Sequence, residues 1–122
     1  MPANTEIDED DRLIASNKVE GTAVYSRDGD RLGSIYNFMV DKRSGKAEYA
    51  VLSFGGFLGI GNDYYPVPWD KLTYDTDQGG YVTDITRKAL EQAPRYASGD
   101  EPPFDRSYRE RVSGAYGLTY PS

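Results

Sequence analysis

The sequence predicts an all-β domain, a small barrel or sandwich, followed by one short helix and a partly helical C-terminal tail. Three observations carry this. Stretches rich in β-branched and aromatic residues recur at spacings of about 8–12 residues, each ended by Gly or Asp. Aromatic residues make up 13% of the chain and 11 of them are Tyr, a composition that suits half-buried strands and is scarce in disordered chains. A length of 122 residues holds one small domain with tails.

The elements follow in order. Residues 1–12, with Glu6, Asp8, Glu9, Asp10 and Asp11, read as an acidic flexible tail. Residues 13–97 form the domain. Thr22–Ser26 is a first strand, and Asp28-Gly29 supplies a hairpin turn that tolerates positive φ. Arg31–Lys42 is a long strand with Ile35, Phe38 and Val40 as core contacts; their spacing departs from period two, so a bulge near Asn37 is needed to keep all three inward. Arg43-Ser-Gly45 turns the chain again. Lys46–Phe54 is apolar on both faces, with Ala47, Tyr49 and Val51 on one and Ala50, Leu52 and Phe54 on the other. Such a strand must be covered twice.

Tyr64–Pro68, Leu72–Tyr74 and Gly80–Asp84 are the remaining strands. Pro66 and Pro68, at alternate positions, leave one side of their strand without donors and place it at an edge or barrel mouth. Trp69 is large enough to close the core beneath it. A helix follows at Arg87–Gln92, capped by Thr86 and stopped by Pro94. Residues 98–122 are a C-terminal extension, in which Ser98–Pro103 is a linker and Phe104–Gly114 a helix capped by Asp105. Its stripe of Tyr108, Val112 and Ala115 is too narrow to fold alone, so this helix docks on the barrel or a partner, or frays.

The composition excludes much chemistry. The chain has no His and no Cys, so it can build no Ser-His-Asp or Cys-His triad, no thiolate nucleophile, no disulfide and no Cys/His zinc site. Gly55-Gly-Phe-Leu-Gly-Ile-Gly61 resembles a phosphate loop only at first sight, because no Gly-Lys-Ser/Thr ends it and no helix follows. Its glycines reverse the backbone, and Phe57, Leu58 and Ile60 pack back on the barrel. Asp28/Asp30 and Asp75/Asp77 sit beside glycines as in calcium loops, but the twelfth position is Met39 or Thr86 instead of Glu. They are read as turn chemistry. No catalytic, cofactor-binding or metal-ligating residue is expected.

The formal charge of −6 argues against non-specific phosphate binding. Arg27/Arg31 and Lys42/Arg43/Lys46 lie at opposite ends of one strand, roughly 30 Å apart at about 3.3 Å per residue, and make no single basic stripe. The acidic start lacks the positive and apolar regions of a secretory signal, and no run is long enough to span a membrane. A soluble cytoplasmic protein is expected.

In order along the chain, these residues resemble the PRC-barrel family, over about Leu13–Ala97. The resemblance is carried by Asp28-x-x-x-x-Gly33-x-Ile35, by Val40-Asp41 followed by Gly45, and by Tyr49-Ala-Val-Leu52. Its most specific block is Gly55, Gly56, Gly59 and Gly61 with Phe57, Leu58 and Ile60, leading to Val67-Pro68-Trp69. Leu13-Ile-Ala, Val19-x-Gly21 and Leu90 with Ala93-Pro94 look like the stand-alone bacterial members. The resemblance implies a six-stranded barrel serving as a non-catalytic adaptor, with no active site to carry over. Two alternatives are an RNA-processing or ribosome-associated adaptor and a small-ligand-binding barrel.

A domain of about 80 residues buries a limited core, so burial of more apolar surface would help it. Ala50, Leu52 and Phe54 with Phe57, Leu58 and Ile60 are therefore the candidate interface of a symmetric homodimer. A protein partner is expected besides, its identity open; nucleic acid, membrane insertion and a small-molecule substrate are not.

Overall fold

In the computed structural model, residues 13–54 and 63–118 are described. A short helix, α1 (Ser16–Val19), precedes the first strand and was not expected; it buries Val19 and leads the chain to its first sheet contact, where the Gly21 amide donates to the Ile35 carbonyl. Strands β1 (Ala23–Ser26) and β2 (Arg31–Val40) then form an antiparallel hairpin whose turn holds Gly29 at φ 92°. Strand β3 (Ala47–Phe54) returns beside β2. The intervening turn is tied by the Asp41 carboxylate, which accepts from the amides of Arg43 at 2.8 Å and Ser44 at 2.9 Å. Those two donors hold the Asp41 carboxyl below the usual carboxylate range.

Strand β4 (Asp63–Pro68) pairs with β3, and a 3-10 turn over Trp69–Lys71 leads to β5 (Thr73–Asp75) and β6 (Gly80–Thr83). Helix α2 (Arg87–Glu91) and a two-residue strand, β7 (Tyr96–Ala97), precede helix α3 (Arg106–Ala115). The sheet order is β5-β6-β1-β2-β3-β4-β7, antiparallel except where β1 meets β6. All six expected strands are present, and β7 adds a seventh. Among the described residues the pairings run linearly from β5 to β7 and do not join the two ends.

The expected bulge is at Tyr36. Ile35 pairs with Leu52 and Asn37 with Val51, so Tyr36 is the extra residue, and Ile35 and Phe38 both reach the core. Val40 does not. A second register shift, between Met39 and Val40, skips Glu48 on β3 and leaves Val40 44% exposed, correcting its expected core position. Val24, Leu32, Ile35, Leu52, Val67 and Leu90 fill the centre.

Both prolines of β4 face away from β3. Proline cannot donate, so the β3 ladder falls on Tyr65 and Val67, which pair with Leu52 and Ala50. The outer side of β4 pairs with β7 only at Asp63 and Tyr64, and pairing stops before Pro66. Thus β4 is one strand in from the edge at its start and an edge at its end.

Helix α2 starts as expected: Thr86 Oγ1 accepts from the Ala89 amide at 3.0 Å. Thr86→Ala is expected to cost about 1 kcal/mol, read as a lower urea midpoint at unchanged slope. Helix α3 is capped at both ends. Asp105 accepts from the Tyr108 amide at 2.9 Å, and beyond Tyr116 the chain enters a left-handed turn at Gly117 (φ 77°), with Leu118 N donating to Ser113 O at 2.9 Å. The buried stripe is Tyr108, Val112 and Tyr116, with Ser113 beside it. At about 100° per residue its centre lies between Val112 and Tyr116, so Ala115 stands on the rim and is exposed.

Candidate interaction surface

The second cover that β3 requires is supplied by its own chain. On the face of β3 opposite Ala50 and Leu52, the Tyr49 ring meets Phe104 at 6.0 Å, and Phe104 meets Tyr108 edge-on at 5.1 Å. Helix α3 lies against β4, and Tyr49, Val51, Tyr108, Val112 and Tyr116 are all buried. Of the alternatives open for the extension, docking on the barrel is the one observed.

This changes what the nominated interface residues can do. Ala50 and Leu52 are 0% and 1% exposed, packed in the intrachain core, and offer no area to a second chain. Phe54 is half-buried; its ring meets Tyr65 edge-on at 5.4 Å and carries the Arg87 guanidinium 5.2 Å from its centre. Phe57, Leu58 and Ile60 lie outside the described residues, as do Gly55, Gly56, Gly59, Gly61 and the acidic tail. Of the remaining motif positions, Gly33 lets the Ser53 carbonyl approach where a Cβ would stand, and Pro68 is buried. Trp69 is half-buried between Phe38 and Tyr81, each 5.7 Å away, and packs against the core.

A partly exposed aromatic row lies elsewhere. Tyr36, 50% exposed, stacks at 4.4 Å on Tyr64, which in turn meets Tyr96 at 5.6 Å. The row crosses β2, β4 and β7. Ser53 of β3 stands opposite both Ser34 and Tyr64 in register, and its small side chain lets the two rings meet above β3. Sequence reasoning missed this row because Tyr36 takes its direction from the bulge and Tyr96 belongs to a two-residue strand. The bulge itself was the available signal.

Burial pushes the Tyr96 hydroxyl up to about 12, with Glu101 and the tyrosines around it adding to the effect, and burial likewise raises Tyr116. A phenol raised in the folded state favours that state below the unfolded pKa, near 10, and the contribution is lost as pH climbs from there towards about 12. Stability is therefore expected to fall across that window, with tyrosinate absorbance from these residues appearing late and together with unfolding. Normal titration of every tyrosine before any loss of structure would contradict it.

Two depressions of mixed lining lie among the described residues. One, of about 620 Å³, lies along β5 and β6 and includes Asp70, Lys71, Tyr74 and Asp84, with Lys71 and Asp84 paired at 3.6 Å. Neighbouring Asp75 spends its carboxylate on its own turn, accepting from Asp77 N at 2.9 Å and from the Gln78 side chain at 3.3 Å. The other, of about 400 Å³, lies between Arg31, Ser34, Ser53 and Arg87, where Arg87 Nη2 donates to the Arg31 carbonyl at 3.0 Å. Among the described residues no three His, Cys, Asp or Glu converge as metal ligands, and no helix is long and apolar enough to cross a membrane.

A twisted sheet of short strands around one core, ended by helices and carrying an aromatic row outside, defines a small β-domain of the barrel type. The PRC-barrel domain model matches residues 11–90, and the chain belongs to the PRC-barrel family. No curated protein matches it in sequence. The match ends within α2, so β7 and α3 lie beyond the family region.

Proposed function

We propose that this chain is a non-catalytic adaptor that acts through protein–protein contacts and pairs with itself as a homodimer in the cytoplasm. Its membership of the PRC-barrel family supports the adaptor reading. Self-association is supported by the Tyr36–Tyr64–Tyr96 row, a partly exposed aromatic strip led by Tyr36 on a small domain. Aromatic side chains of this kind bring large contact area at little entropic cost.

Light scattering at high micromolar concentration is expected to give twice the chain mass of 13.6 kDa. A monomer there would remove the homodimer. Crosslinking in cells, with the captured proteins identified, tests the adaptor itself: a full chain that captures nothing beyond itself argues against it.

A further inference from the structure

We infer that helix α3 exchanges between two copies, each chain's α3 docking on the β3–β4 face of the other. The inference rests on the homodimer reading and names its geometry. Four observations lead to it. The face beside Tyr49 and β4 is a built site, filled by Phe104 and α3 of this chain, so a second copy carries an identical occupant. The occupant belongs to an extension outside the family region, joined through Ser98–Asp105. That linker folds back on a single turn, in which Gly99 stands at φ 88° and Asp100 N donates to Ala97 O at 3.0 Å. Pro102 and Pro103 follow, and consecutive prolines hold a segment extended.

Opening the Gly99 turn would carry α3 away from its own sheet as one capped unit. Too polar to persist alone, the helix must find an equivalent face. In the exchanged pair every contact between α3 and sheet is kept, so the balance between closed monomer and exchanged dimer is set by the linker and by any new contacts. The aromatic row supplies such contacts. It ends at Tyr96, two residues before the linker, where two exchanging chains must cross.

The test uses the full chain, as a mixture of isotope-labelled and unlabelled protein examined by filtered nuclear Overhauser spectroscopy. Cross-peaks between the Tyr49 ring of one chain and the Phe104 ring of the other are expected in the dimer. A dimer that shows these contacts only within a chain overturns the exchange and leaves the homodimer standing; a monomer overturns both. Gly99→Val, which a left-handed backbone resists, is expected to raise the dimer association constant at least tenfold. An unchanged constant would also count against exchange.

Discussion

Replacing Leu52 by Ala is expected to lower the unfolding free energy by roughly 2–5 kcal/mol. Leu52 lies on β3, whose ladder is held on both sides: Ile35 of β2 and Tyr65 of β4 face it directly. Its side chain is in the centre of the core. The two flanking strands are fixed by their own hydrogen bonds, so the void left by the deleted atoms closes poorly, and the cost belongs near the upper part of that range. Against a total of about 5–15 kcal/mol for a small domain, the variant should be marginal. Urea unfolding followed by circular dichroism reads this as a large drop in midpoint. A loss under about 1 kcal/mol would mean that β3 is not the structural centre.

Gly33→Ala and Gly114→Ala are the same chemical change with opposite expected signs. A Cβ on Gly33 would run into the Ser53 carbonyl oxygen, and it would sit 3.2 Å from the carbonyl carbon and 3.5 Å from Phe54 Cα. These are backbone atoms of β3, so relief requires the β2–β3 pair to separate, at a cost of about 1–3 kcal/mol. Around Gly114 there is nothing within 4 Å, and it lies in α3 without a positive φ. There the gain in helix propensity applies, about 0.5–1 kcal/mol towards stability. Parallel denaturation of the two variants checks the pair. Equal shifts in the same direction would show that close strand approach is not what Gly33 provides.

Local signals in the sequence carried most of the fold. Asp28-Gly29 and Arg43-Ser-Gly45 placed the turns, the irregular spacing of Ile35 and Phe38 announced the bulge, and Thr86 and Asp105 marked the starts of α2 and α3, though not that of α1. Where the reading failed, the deciding information was not local. Val40 turns outward because β3 skips Glu48, a fact of pairing between strands and not of either strand alone. Tyr96–Ala97 is too short to announce itself, and becomes a strand only because Asp63 and Tyr64 are there to pair with it. The two apolar faces of Ala47–Phe54 were legible, and so was the need for a second cover. What covers the second face was not, because Tyr108 and Val112 come from a segment some 60 residues later that reads on its own as a weak helix, and Tyr116 lies past its expected end.

The alternate prolines of β4 bear on the solubility of the folded chain. A strand with open donors and acceptors invites another molecule to add itself, and repeated addition leads to aggregates. Among the described residues no strand pairs with the outer side of β4 past Tyr64, and Pro66 and Pro68 remove the donors that an incoming strand would need there. At the opposite end of the sheet, β5 offers only three residues. Neither end is a good template. These features protect the sheet against runaway growth by strand addition.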